Sequence, residues 1–361
     1  MKIRETIKNF KPYEWEVSLL EMAKKLGLDP TKILRFDMNT MALTPNKFIQ
    51  ELEKILPTIR INEYPETSYL ELRNALSKYT GRDVDEITVT AGCDEALDIV
   101  AKVFIDPGTK VLVSSPTYAM YRVVVEAMGG KIVNVLRREN FDDDVDGILK
   151  SIDDKTGLIF LCSPNNPTAI LTSRETIVKL LNETECPIVV DESYMEFCGQ
   201  TFVDLVGNYE NLIILRTFSK AFSLAGARVG YVIANKNTIN LLNIMRPPNS
   251  LSVISLALAK IALENVNQVM ENVKKTIEER EKLIEELKKI DGLHVYPSNT
   301  NFVLVRFENG NIKEVHQKLL ENGIITRNVS DQPLLENCLR ITVRTQEENR
   351  LLVDTLKKIL G

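Results

Sequence analysis

Lys220 sits in the run Arg216-Thr217-Phe218-Ser219-Lys220, and Arg228 follows eight residues later in Gly226-Ala227-Arg228-Val229-Gly230-Tyr231. A lysine amine condenses with an aldehyde. Thr217, Ser219 and Arg228 can hold a phosphate, the guanidinium by paired charge-assisted hydrogen bonds and the hydroxyls by single ones. Together they suit a phosphorylated aldehyde. Ala91-Gly92-Cys93-Asp94-Glu95 adds a glycine turn opening a helix, whose first N–H groups point outward for an anion. Asp191, in Val189-Val190-Asp191-Glu192-Ser193-Tyr194, is the anionic carboxylate that keeps a pyridinium nitrogen protonated, and that proton makes such a ring an electron sink. Asn165-Asn166-Pro167-Thr168 is a rigid turn that can aim an amide at a phenolic oxygen, with Tyr194 beside it. Tyr118, in Pro116-Thr117-Tyr118-Ala119-Met120-Tyr121, can stack on a flat ring. Each piece also has a plain structural reading: a surface lysine, an arginine paired with an acid, an N-cap aspartate, an Asn-Pro turn, a core tyrosine.

The elements that must position these groups follow a βαβ rhythm. From residue 87, short β-branched runs (ITVT, KVLVSS, KIVNVL, TGLIFLC, PIVVD, NLIILRT, RVGYVIA) alternate with helical stretches, which predicts a mostly parallel sheet covered by helices on both faces. In such a sheet ligands gather past the strand ends, where Gly92, Tyr118, Asn166, Asp191 and Lys220 fall. The double proline of RPPNS interrupts the rhythm, and one long charged helix is expected from about residue 252 to 289. The rest, with LHVYP, NFVLVRF, GIITR and CLRITV between helices, reads as a small α/β unit. The expected division is residues 1–40 packing with the small domain, 41–245 as the large cofactor-binding domain and 246–361 as the small C-terminal domain.

Composition narrows the function. The 361 residues, 44% hydrophobic and 26% charged, describe a chain that folds nearly throughout. A net charge of −5 with acids and bases intermixed offers no basic stripe, so nucleic acid is not an expected partner. No apolar run resembles a signal peptide or a membrane span, and membrane is likewise not expected. The five cysteines are scattered without a CxxC pair, which predicts neither disulfide framework nor zinc site and suits a cytoplasmic protein. Only two histidines are present, so no metal is expected and a histidine-dependent triad has little to build from. No GxGxxG follows any predicted strand, which argues against a Rossmann dehydrogenase.

Taken in order, Gly92–Glu95, Pro116–Tyr121, Asn165–Thr168, Val189–Tyr194, Thr217–Lys220 and Gly226–Tyr231 resemble the motifs of the class I/II aminotransferases, and more closely those of the histidinol-phosphate aminotransferases, over nearly the whole chain. That resemblance implies the aspartate-aminotransferase-like fold type I of pyridoxal-phosphate (PLP) transferases: a large mostly parallel α/β/α sheet domain plus a small α/β domain. It makes Lys220 the Schiff-base lysine, Asp191 the partner of the pyridine nitrogen, Asn166 and Tyr194 the partners of the phenolic oxygen, and Tyr118 the stacking ring. Backbone N–H groups of Cys93 and Asp94, with Thr217, Ser219 and Arg228, would hold the phosphate. Tyr64 would complete that site from the other subunit of a homodimer.

On the substrate side, the resemblance gives Arg340 to the carboxylate of an amino donor or 2-oxo acid and Arg327 to a substrate phosphate. The implied reaction passes an amino group from L-histidinol phosphate to 2-oxoglutarate by a ping-pong route, a step of histidine biosynthesis. Departures cluster on that side. Pro12-Tyr13 is kept, but Glu14-Trp15-Glu16 replaces the usual continuation; Asn39-Thr40-Met41-Ala42 stands for Asn-Glu-Asn-Pro; Asn249-Ser250 stands for Tyr-Asn; and Arg344 occupies a usual glycine. Tyr13, Trp15 and Arg344 are candidates for an altered pocket, and a cation at Arg344 beside Arg340 would favour a more acidic substrate. Other readings therefore stay open: a PLP aminotransferase of aromatic, broad or unusual specificity, a decarboxylase like threonine-phosphate decarboxylase, or a non-catalytic binding protein on the same fold.

Overall fold

The structure is a computed structural model that describes residues 1–8, 10–13, 18–42, 45–308 and 311–361. Strand β1 (Leu34–Arg35) precedes a seven-stranded sheet made of β2 (Ile87–Thr90), β3 (Lys110–Ser115), β4 (Lys131–Leu136), β5 (Thr156–Cys162), β6 (Ile188–Asp191), β7 (Leu212–Thr217) and β8 (Gly230–Ala234). Its spatial order is β2-β8-β7-β6-β5-β3-β4. Every pairing is parallel except those of β8, which runs antiparallel to both β2 and β7. Strands β2, β6, β7 and β8 are buried along their whole length, and the stretches Ile188–Val190, Leu212–Leu215 and Tyr231–Ala234 read as continuous apolar runs rather than alternating ones. One apolar cluster lies on each face of the sheet. Ile87, Ile159, Val190 and Ile214 belong to the first, and Val111, Phe160, Val189 and Ile213 to the second. Consecutive residues Val189 and Val190 alternate between them, as the pleat requires.

A second sheet follows, with β9 (Leu293–Val295), β10 (Phe302–Phe307), β12 (Arg327–Asn328) and β13 (Cys338–Thr342) in the antiparallel order β12-β13-β10-β9, while β11 (Ile324–Ile325) pairs in parallel with β1. The N-terminal segment divides its contacts. Residues 19–36 pack beside the second sheet, with β1 paired to β11 and Met22, Ala23 and Ile33 packed with Ile325. Residues near the start lie on the large one, where Arg4 Nη2 donates to the Ala127 carbonyl at 3.0 Å and Arg122 Nη2 to that of Lys11 at 3.0 Å.

The long helix expected over 252–289 is two helices, Val253–Glu264 and Val266–Lys288, set at 78° to each other. Asn265 breaks it. Its backbone leaves the helical region (φ −110°, ψ 29°), and its Nδ2 donates to the Ile261 carbonyl at 2.9 Å and to Glu51 Oε2 at 2.8 Å. The first half, VISLALAKIALE, carries few charges and packs across helices Asn46–Ile55 and Leu70–Thr80; the second is amphipathic and lies on the small sheet. Among the described residues no single helix is long and apolar enough to cross a membrane.

Candidate active site

The parallel strands β3, β5, β6 and β7 deliver their C-terminal ends to one edge, and β2, beyond the antiparallel β8, ends there too. At one end of this crevice, β2 turns at Gly92 (φ +81°) into helix Gly92–Phe104. The turn admits no side chain. A Cβ on Gly92 would meet Arg228 Nη2 at 2.6 Å, and one on Gly230 would meet the Gly92 carbonyl carbon at 2.6 Å and Cys93 N at 2.9 Å. Two glycines thus let the guanidinium and a free helix N-terminus close on one small space. Thr217 Oγ1 and Ser219 Oγ stand 2.9 Å apart beside it, and Arg228 Nη1 lies 3.5 Å from Ser219 Oγ. Arg228 also pairs with Asp94 (2.9 Å), whose other oxygen accepts the Tyr118 hydroxyl at 3.1 Å, so the plain reading of an Arg–acid pair holds alongside the cradle. Glu95 Oε2 takes the Ala91 N–H (2.6 Å) and the Ser250 hydroxyl (2.8 Å), which gives Ser250 a part in bracing the turn.

Lys220 follows β7. Burial, then the neighbouring Arg340 cation, depresses its amine to about 8, so a useful fraction is neutral and nucleophilic near neutral pH. Its Nζ donates to the Met38 carbonyl at 3.4 Å. Asp191, at the end of β6, is 3% exposed and accepts the Ser193 N–H and the Tyr121 hydroxyl, both at 3.0 Å. Among the described residues it forms no ion pair, and burial pushes its carboxyl upward. A buried carboxylate held by two donors but lacking a cation is matched by a pyridinium N–H. Tyr121 stacks on Phe160 (4.8 Å, 3°) and meets Tyr118 edge to face (5.8 Å, 89°), bracing the ring expected to stack.

The two asparagines of the β5 turn separate cleanly. Asn165 spends its amide on the turn, accepting from Thr117 Oγ1 (2.7 Å) and donating to the Pro116 carbonyl (3.0 Å) and Thr168 Oγ1 (2.8 Å). Asn166 gives its Oδ1 to Arg340 Nη1 (2.8 Å), which leaves its NH₂ for another acceptor. Arg340 also donates to the Asp37 carbonyl, and its buried Nε has no partner among the described residues. Burial, reinforced by nearby Arg327, holds this guanidinium below the usual arginine range. Arg327 lies directly opposite Arg340 across β12 and β13 and makes no hydrogen bond or ion pair among the described residues. Tyr13 is near enough to Tyr118 and Arg340 to perturb both.

Other candidates are placed differently. Tyr64 is 87% exposed, turned outward from its own chain. Trp15, with Glu14 and Glu16, lies outside the described residues. Arg344 is taken up at the start of the last helix by Glu348 Oε1 (2.9 Å) and the Arg35 carbonyl (3.3 Å), so its cation is answered by a carboxylate and does not add to Arg340. Tyr121 and Asn39, whose Nδ2 donates to Tyr194 Oη at 3.0 Å, are contacts to which the sequence assigned no role. Tyr121 had one usable signal: it stands three residues after Tyr118, on the same side of the chain one turn on.

The glycine-lined cradle, the depressed lysine, the cation-free aspartate and the spare Asn166 amide are groups whose chemistry suits pyridoxal phosphate. A family model for aminotransferases of class I and II matches residues 31–356. The chain is similar to the histidinol-phosphate aminotransferase of Ruminiclostridium cellulolyticum, 38% identical over 99% of this chain and 98% of that one. It is similarly related to that of Thermoanaerobacter pseudethanolicus, 39% identical over 99% and 98%. In three dimensions it resembles the histidinol-phosphate aminotransferase of Sinorhizobium meliloti in complex with pyridoxal-5'-phosphate, with a TM-score of 0.89, 24% identity and coverage of 99% and 97%.

Proposed function

The chain belongs to the class I and II aminotransferases, and on that premise we propose that it is a PLP-dependent enzyme that moves an amino group from L-histidinol phosphate to 2-oxoglutarate. When bound, pyridoxal phosphate supplies an electrophilic carbon for the amino group and a ring that accepts the electron pair left by a departing α-proton. The chain's own residues do the rest. The Gly92–Asp94 turn, Thr217, Ser219 and Arg228 would hold the phosphate, Asp191 would keep the ring nitrogen protonated, and Asn166 and Tyr194 would serve the phenolic oxygen. Lys220 Nζ, whose depressed amine is partly neutral near pH 7, is the group that would attach the cofactor and would move the α-proton as general base and acid.

The observation that carries the substrate is the Arg327–Arg340 pair. Two guanidiniums in register on adjacent strands repel. Arg340's partners are neutral oxygens, so neither charge is answered by a carboxylate among the described residues. A dianion answers both. The phosphate ester of histidinol phosphate carries two negative charges next to the amine-bearing carbon, and the α-carboxylate of glutamate occupies the same place in the return half-reaction, which lets one site serve both partners.

Tyr64 supports a homodimer, since a side chain turned fully outward in an otherwise folded segment can complete the phosphate site of a second copy. Five free cysteines suit the cytoplasm. A large domain of 41–245, a small one of 246–361 and the N-terminal 1–40 belong to the same proposal.

The test is the separated half-reactions. Protein loaded with PLP and given L-histidinol phosphate or L-glutamate alone should lose its lysine-dependent absorbance with either. Arg327→Leu should raise KM for histidinol phosphate by roughly 10- to 100-fold, the loss of one charge-assisted contact, and affect glutamate less. Conversion by glutamate alone discards histidinol phosphate as substrate and leaves an aminotransferase of another specificity.

A further inference from the structure

Asn39 lies far from Tyr194 in sequence and on the other sheet's side of the crevice, yet its side chain reaches the Tyr194 hydroxyl. The residue is 1% exposed, and its backbone is left-handed (φ +53°), a conformation asparagine adopts more readily than most residues. Four hydrogen bonds hold it. Its own N–H donates to Thr342 Oγ1 (2.9 Å), the Thr342 hydroxyl donates to Asn39 Oδ1 (3.2 Å), Asn301 Nδ2 donates to the Asn39 carbonyl (2.9 Å), and Asn39 Nδ2 donates to Tyr194 Oη (3.0 Å).

Proton counting fixes the sense of this chain. Thr342 is fully buried, and its hydroxyl has one proton. Its oxygen already accepts the Asn39 N–H, so the proton must go to Asn39 Oδ1. Turning the amide over would leave that proton with no acceptor and put Oδ1 against Tyr194. The amide NH₂ therefore faces Tyr194, whose oxygen accepts, and the Tyr194 proton has no acceptor among the described residues. It is left to point into the crevice.

We propose that Asn39 is a positioning residue that sets the direction of the Tyr194 hydroxyl proton, so that Tyr194 donates to the phenolic oxygen of the bound cofactor. Its anchor is Thr342, two residues along β13 from Arg340 and on the same face of that strand, so the strand that grips the substrate also holds the amide that orients Tyr194. The inference rests on the cofactor reading above. Donation to the phenolic oxygen favours its ionised form and lowers the pH at which the lysine-linked cofactor changes absorbance.

The experiment is a pH titration of that absorbance in the parent and its variants, each loaded with PLP. Asn39→Asp keeps the side chain's shape but can only accept from Tyr194, so the tyrosine proton is drawn away and the midpoint should rise by about one unit. Asn39→Gly keeps the left-handed backbone but removes the NH₂ that makes the Tyr194 oxygen accept, so the hydroxyl proton is no longer held in one direction and the midpoint should lie between those of the parent and Asn39→Asp; a midpoint equal to the parent's overturns the positioning role. In a Tyr194→Phe background Asn39→Asp should add no further shift. Thr342→Val, which removes the hydroxyl that fixes the amide's sense, gives an independent arm if Asp at position 39 prevents folding, and it too should raise the midpoint. An unchanged midpoint in both Asn39→Asp and Thr342→Val, or a shift by Asp that persists without the Tyr194 hydroxyl, overturns the proton assignment. Absence of any lysine-dependent band in the parent overturns the cofactor reading itself, and the assignment with it.

Discussion

The depressed amine of Lys220 makes a kinetic prediction that needs no substrate. With its midpoint at about 8, the neutral, nucleophilic form makes up about a tenth of the lysine at pH 7, against roughly one part in 3,000 for an amine at 10.5, an advantage near 300-fold. Rapid mixing of cofactor-free protein with pyridoxal phosphate, followed by the appearance of the lysine-dependent absorbance, should give a capture rate that rises about tenfold per pH unit below 8 and levels off above it. Burial is the largest cause and Arg340 the next, so Arg340→Met should move the levelling point upward. The sign for stability is the same. The folded pKa lies below the unfolded one, so between about 8 and 10.5 the native state binds fewer protons, and the cofactor-free protein gains stability as pH rises through that window. A capture rate still climbing at pH 10 would refute the reasoning, because it would mean that the crevice leaves the lysine at its ordinary value. A levelling point that Arg340→Met does not move would remove the electrostatic part of the argument.

Two further predictions address the cofactor's ends. Tyr121→Phe keeps the stack on Phe160 but removes the 3.0 Å bond to Asp191; a hydrogen bond to a charged group contributes about 1.5–3 kcal/mol, so cofactor dissociation measured by equilibrium dialysis should weaken about tenfold or more, and unaltered affinity would show that Asp191 does not depend on it. Gly230→Ala places a methyl 2.6 Å from the Gly92 carbonyl carbon and must displace the turn, lowering both the melting temperature and affinity for the cofactor; a protein that melts earlier but binds equally well would remove the Gly92–Asp94 turn from the phosphate site.

Much of this was legible in the sequence because the signals are local. A strand buried on both faces tends to be apolar along its length, and so the cores of β6, β7 and β8 announce themselves as the apolar runs Ile188–Val190, Leu212–Leu215 and Tyr231–Ala234. The polar residues that end them must then fall on one edge of a parallel sheet, which brings Gly92, Asp191 and Lys220 together before any contact is known. The sequence fell short where a choice depends on what arrives from elsewhere. The apolar run before Asn265 and the charged run after it both read as helix, and only the helices waiting on either side decide the 78° break. Asn165 and Asn166 are neighbours of one chemical type, and the turn consumes the first while Arg340, 174 residues away, claims the second. Arg344 is expected to add its cation beside Arg340, and in the fold Glu348 answers that charge instead. Asn39 meets Thr342 across 303 residues, and no periodicity or turn preference encodes that meeting. Local sequence therefore determined the elements, the strand ends and the chemistry they carry; the packing of the two sheets decided which hydrogen-bond donors face that chemistry and in which direction, because the sense of a hydrogen bond is settled only when both partners are in place.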